Sequence, residues 1–314
     1  MSTHTMIEVF EPKAMAIFLA LAMSTGVAAA GCGGDPLDDG TGGGPGVADE
    51  PVAQVAESLD SSWATGPFTW DQGHSDVRMM SATTHVCVLT TVRGEFDGGG
   101  EWIRSEVLSD NYWYLRGDSQ ASGVRAQAFC FDKSKFLANG DARWISEAFY
   151  ASDNTSGCNG GWTNTWWGDA ATFLSGVQGE FDGSGERGAI TQSTTPFTSS
   201  ALRAESCAGW LRASGHSFFA GTPHSGQTAK FWGGERTVSV SKGTDEVQLA
   251  PTGDAMCYLT RVEGYFNGSG EHVVIYPKYV NGLEYWYLKA THSTTDAVAQ
   301  WVSGRARCYR RDQR

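Results

Sequence analysis

The residues with the most chemical potential sit in a short glycine-rich stretch, "GEFDGGGE" from Gly94 to Glu101, which returns as "GEFDGSGE" at Gly179–Glu186 and "GYFNGSGE" at Gly264–Glu271. Carboxylates this close together could hold a cation or work as an acid–base pair. Calcium takes six to eight oxygens. One such turn supplies only Asp97 with Glu101, Asp182 with Glu186, or the Asn267 amide with Glu271, so no metal and no cofactor is expected. A hydrolase pairing Glu95 with Asp97 or Glu101 is the catalytic alternative, but acids at a repeated surface turn are more simply solvated. The histidines occupy no common position across the copies. "GHSD" at Gly73–Asp76 and "SGHS" at Ser214–Ser217 set Ser beside His, whereas catalytic partners converge from separate loops. No catalytic residue is assigned.

Tryptophan carries the stronger signal. The chain has 12, and "GGWTNTWWGD" at Gly160–Asp169 is the densest patch. Rigid rings among Gly, Thr and Asn are the material of recognition surfaces. Trp162, Trp166 and Trp167 are therefore candidate ligand contacts, with Tyr112 and Tyr285 from two matching "YWYL" segments. Trp113 and Trp286, inside those segments, are expected in the core.

The elements that position these residues are repeats. Gly94, Gly179 and Gly264 stand 85 residues apart, and the copies align without a gap from "CVLTTVRGEFDGGGE" through "TFLSGVQGEFDGSGE" to "CYLTRVEGYFNGSGE". Val88, Val92 and Phe96, then Phe173, Val177 and Phe181, then Tyr258, Val262 and Phe266, share one face of a period-two strand. The anchor glycine lies on that face, which predicts an aromatic ring or a bulge over it. Asp97–Gly98, Asp182–Gly183 and Asn267–Gly268 predict a positive-φ hairpin turn before a return strand opened by Glu101, Glu186 or Glu271. The closing strands "RAQAFC" and "RARC" end at Cys130 and Cys308. Copy two has "RAESC" ending at Cys207 and no YWYL, so either a strand is lost or "GWLRASG" at Gly209–Gly215 replaces it.

Six cysteines follow Cys32 and permit fifteen pairings. The repeat favours Cys87–Cys130 and Cys257–Cys308, and elimination leaves Cys158–Cys207, which implies an oxidising compartment. With 40 glycines and no apolar run at helical spacing, the expected fold is all-β with little helix. Three tandem units of about 85 residues are expected at 63–147, 148–232 and 233–314, the second degenerate. Separate sandwich-like modules are favoured over a pseudo-threefold prism, because each unit carries its own disulfide.

Ahead of the units, Lys13, an apolar run from Ala14 to Met23 and small residues to Gly31 have the form of an export signal over residues 1–31, too short to remain as a span. The segment "AAAGC" resembles the lipobox of bacterial lipoproteins, with Ala29 where Leu is usual. That resemblance implies a lipidated Cys32, and two or three acyl chains hold a protein to a membrane for practical purposes permanently. The absence of Asp at position 33 then fits outer-membrane sorting in a Gram-negative bacterium. Residues 33–62 hold seven Gly, three Pro, seven acidic residues and no basic one, the composition of a disordered tether with a reach of roughly 30 Å.

Of the net charge of −12, only −4 belongs to residues 63–314, which does not invite nucleic acid. The late cluster Arg305, Arg307, Arg310, Arg311 and Arg314 is expected as a solvated end strand. The expected function is that of a lipid-anchored surface protein binding glycan or another extracellular polymer through aromatic loops. A structural or envelope-assembly lipoprotein with protein partners is the alternative, and a secreted hydrolase ranks third.

Overall fold

Three central strands set the architecture of the protein, seen in a computed structural model. It describes residues 63–121, 123–136, 144–153, 160–167, 170–183, 185–191, 199–207, 209–220, 231–293 and 300–311, with backbone alone at Trp166, Trp167 and Ser199. The strands of the first repeat are β1 Ala64–Asp71, β2 Val77–Ser81, β3 His85–Arg93, β4 Trp102–Val107, β5 Tyr112–Asp118 and β6 Arg125–Asp132. Those of the second are β7 Trp144–Ile145, β8 Phe149–Asp153, β9 Gly161–Trp167, β10 Ala171–Gly179, β11 Arg187–Thr191, β12 Ser199–Glu205 and β13 Leu211–Phe219; β7 lies within 63–147 but pairs with β13. The third contributes β14 Arg236–Val240, β15 Gly243–Pro251, β16 Ala255–Gly264, β17 His272–Val280, β18 Leu283–His292 and β19 Val302–Arg310. Helix among the described residues is limited to a 3-10 turn at Lys133–Lys135. None is long and apolar enough to cross a membrane. The all-β fold of three similar units is as expected.

The preference for separate modules is corrected by the strand pairing. Sheet I runs β1-β6-β3-β17-β18-β15, sheet II runs β2-β5-β4-β10-β13 with β7 and β8 both on β13, and sheet III runs β14-β19-β16-β11-β12-β9. Sheets I and III each join three strands of one repeat to three of another, and sheet II joins three of the first repeat to four of the second, with the central strands paired in the same register. Val92 faces Val273, Val177 faces Ile103 and Val262 faces Gly188. The apolar strands β3, β10 and β16 are buried along nearly their whole length. A lone module would leave such a strand without its second ladder partner, and the neighbouring repeat supplies it.

The repeated octapeptide is the pivot of this exchange. Phe96 N–H donates to Phe266 O, Phe181 to Phe96 O and Phe266 to Phe181 O at 2.6–2.7 Å, a closed cycle. A second cycle links Gly94 to Glu271 O, Gly179 to Glu101 O and Gly264 to Glu186 O at 2.9–3.1 Å. The three phenyl rings meet edge to face with centroids 5.7–6.2 Å apart. Such pairs add about 0.5–1.5 kcal/mol each beyond the area they bury.

The hairpin reading is therefore corrected, since β3 pairs with β17 and not with β4. Positive φ falls on the anchor glycines Gly94, Gly179 and Gly264, at 105–108°. What lies over them is backbone and no aromatic ring: a Cβ on Gly179 or Gly264 would stand 2.0 Å from Trp210 O or Trp301 O. The ladder irregularity lies upstream, between Leu89 and Thr91 and at the matching positions. Gly98, Gly183 and Gly268 have no positive φ; a Cβ there would meet Oε2 of Glu101, Glu186 or Glu271 at 2.2–2.6 Å. Those three glutamates, expected as solvated, are buried. Their Oε1 atoms accept from the N–H of Gln120, Cys207 and Ser293 at 3.0–3.4 Å, tying the turn to a later loop of the same repeat.

Copy two loses no strand. β13 takes in Leu211–Gly215 of the GWLRASG segment and pairs with β10 as β6 pairs with β3. Cys87–Cys130 and Cys257–Cys308 are bonded as directly opposed residues of their ladders. The equivalent pair in copy two is Thr172 and Ser217, whose hydroxyls share a buried 2.8 Å hydrogen bond. Cys207 is also disulfide-bonded; Cys158, its expected partner, and Cys32 lie outside the described residues. Trp113 and Trp286 are core residues, each Nε1 donating to a backbone carbonyl, His85 O at 3.0 Å and Ala255 O at 2.9 Å. The Arg-rich end strand is corrected too: β19 is an interior strand. Arg307 covers the Phe231 ring at 3.9 Å and Arg310 the Trp232 ring at 4.9 Å.

Candidate functional site

Directly opposed residues of antiparallel strands project from the same face, so the ladders of sheet III place side chains in rows. One row runs Trp162, Arg203, Ala189, Arg261, Arg305, Thr237 across all six strands. The adjacent row runs Glu205, Arg187, Glu263, Ser303, Ser239. Ala189 stands where copies one and three carry Arg104 and Val274, and the small side chain leaves a depression. The resulting pocket, about 170 Å³, is lined by Arg187, Ala189, Ile190, Thr191, Arg203, Glu235, Arg261 and Arg305.

Four guanidinium groups share three carboxylates here. Arg187 pairs with Glu205 and lies 3.9 Å from Glu263, and Arg203 pairs with Glu205 at 3.2 Å. Arg261 pairs with Glu263, and Arg305 with Glu235 at 3.3 Å. Glu235 also accepts from Thr260 Oγ1 at 2.6 Å. Burial, then the neighbouring charges of Arg305 and Arg187, hold the Arg261 guanidinium down to about 10. The Nε atoms of Arg187, Arg261 and Arg305 are buried without an acceptor among the described residues. Planar donors interleaved with carboxylate acceptors match the alternating hydroxyls of a sugar ring. At the open end of the row, Trp162 is 63% exposed and offers a free indole face.

Of the aromatic candidates, Trp162 belongs to this face. The side chains of Trp166 and Trp167 lie outside the described residues. Tyr112 is on β5 of sheet II with Arg78 over its ring at 3.6 Å, and Tyr285 is on β18 of sheet I. The structure does not bring the three described aromatics together. His216 is buried between Trp113 and Phe173 with Nδ1 on Ser146 O at 3.0 Å; burial pushes its pKa down. Ser217 is held by Thr172, and Asp76 pairs with Arg116 at 2.7 Å. Sequence reasoning gave no role to Arg187, Arg203 or Arg261 and read Arg305 as part of a solvated end strand. Their signal was the R-x-E pattern on outward strand positions, Arg203–Glu205 and Arg261–Glu263. No protein-family model, curated protein or solved structure matches this chain.

Proposed function

We propose that this is a lipid-anchored cell-surface protein that binds glycan on the outer face of sheet III. The carrying observation is the coincidence, on one ladder row, of an exposed Trp162 with an arginine–glutamate network around a depression. Carbohydrate sites combine a stacking platform with polar groups fixed in place before binding, which limits the entropy lost on association. Five ion pairs hold this floor in place. The anchor is Cys32 with its acyl chains, supported by the lipobox-like "AAAGC"; the acidic Gly/Pro composition of residues 33–62 supports a tether that sets the reach, and the absence of Asp at position 33 supports the outer membrane as the location. A glycan array probed with the full chain in detergent tests the reading. Binding to at least one polysaccharide class, lost in Trp162→Ala, is expected, and no binding to any refutes it.

A protein partner is the second reading. It is favoured by Tyr279, 58% exposed near the end of β17, a residue type enriched at contact hot spots.

A further inference from the structure

On the outer face of sheet II, two arginines from different repeats approach one tyrosine, and among the described residues no carboxylate forms an ion pair with either. Arg104 on β4, Gly176 on β10, Ser214 on β13 and Tyr150 on β8 form one row, and Arg212 lies in the next, opposite Gln178 and Ser152. Gly176 has no room for a side chain, since a Cβ there would stand 2.5 Å from Arg104 Cγ and 2.6 Å from Ser214 Oγ. The Arg104 stem lies over that glycine. Its guanidinium carbon reaches 5.8 Å from the Tyr150 ring centroid, the distance at which Arg212 stands from the same ring. Tyr150 itself is 43% exposed.

The charges are left over. Arg104 donates from Nη2 to Gln178 Oε1 at 2.8 Å. Arg212 Nε is buried without an acceptor among the described residues. Glu106, the carboxylate acting on Arg104, is engaged by Arg116 at 2.7 Å. On sheet III, by contrast, every arginine of the pocket has a carboxylate. Two like charges held together and partly buried cost free energy, which an incoming anion would offset by bidentate hydrogen bonds.

We propose that Arg104, Arg212 and Tyr150 form an anion-recognition site for the carboxylate or sulfate groups of an acidic polysaccharide. Tyr150 would support a sugar face while the two guanidinium groups take the acid group. Sheet II is joined to sheet III beside this site: Thr163 on β9 donates from Oγ1 to Tyr150 O at 2.6 Å. The edge strand of sheet II carrying Tyr150 therefore packs against the edge strand of sheet III on the face opposite Trp162, so the anion site is separate from the Trp162 row. The polysaccharide part of this inference rests on the glycan reading above, whereas the anion site stands on its own geometry.

The test is calorimetry on the full chain in detergent with three probes: inorganic sulfate, an oligogalacturonate, and a neutral glucan oligomer of equal length. The oligouronate should bind at least about tenfold tighter than the neutral oligomer at low salt, and the preference should shrink as salt screens it. Arg104→Gln with Arg212→Gln should abolish the preference and sulfate binding, and Arg104→Lys should not restore them, because the planar fork is lost. Tyr150→Ala, which keeps both charges, should weaken the oligouronate and spare sulfate, a readout independent of any folding defect in the arginine variants. Sulfate binding without either oligomer would uphold the site and sink the glycan reading. Equal affinity for the two oligomers, or a preference that survives the double Gln variant, would overturn the site and leave the glycan reading intact. Binding of none of the three would overturn both.

Discussion

Replacing Phe181 with Ala should destabilise the whole molecule and not one third of it. The ring is 1% exposed and meets Phe96 at 5.9 Å and Phe266 at 5.7 Å, edge to face in both cases. Truncating a buried phenylalanine costs about 3–5 kcal/mol, of which the two aromatic pairs account for about 1–3 kcal/mol. For a domain of about 250 residues, each kcal/mol shifts Tm by about 2–4 °C, so a fall of about 6–20 °C is expected. The backbone cycles and exchanged strands make the three repeats one cooperative unit, which predicts a single calorimetric transition before and after the change. Phe96→Ala and Phe266→Ala should behave alike. Three resolved transitions, with only one displaced in Phe181→Ala, would refute the reasoning, because independent modules melt independently.

Gly179→Ala should be at least as damaging, since its φ of 108° strains an L-residue and the new Cβ would press on Trp210 O; loss of folded yield or a Tm fall of several degrees checks this. Thr172→Cys with Ser217→Cys should form a disulfide where copies one and three have theirs, adding about 2–4 kcal/mol, seen by non-reducing mass analysis and thermal melts. Acid should destabilise the protein between pH 6.5 and 4. Burial holds the His272 imidazole down to about 4 against an ordinary 6.5, so the unfolded chain binds that proton more tightly. The contribution is complete above the unfolded value and is lost as pH falls towards the folded one, at most about 3 kcal/mol. His272→Gln should flatten that part of the stability profile measured by urea unfolding.

How much of this was legible depends on what each residue reports. The 85-residue spacing of Gly94, Gly179 and Gly264 shows three units, and period two shows strands, but alternation specifies a face and never a ladder partner. Strand exchange is invisible for that reason. Asp97–Gly98 looked like a hairpin turn because Asp-Gly commonly supplies positive φ; here Gly94 supplies it, and Gly98 yields space to a buried carboxylate three residues on. The cysteines of copies one and three were readable as pairs, while Thr172 and Ser217 give no sign of being their replacement. Trp162 stood out against its Gly and Thr neighbours. Arg187, Arg203, Arg261 and Arg305 come from four strands of two repeats, and separated charges on outward positions look like ordinary solvated residues until the sheet brings them together.

The functional claim is tested most directly by calorimetric titration of an oligosaccharide that binds the wild-type protein into Trp162→Ala, with Tyr279→Ala, exposed on sheet I, as control. Loss of a central aromatic contact of about 2 kcal/mol predicts a roughly thirtyfold weaker affinity in the tryptophan variant, and no change in the tyrosine variant. Equal affinities for wild type and Trp162→Ala would contradict the account.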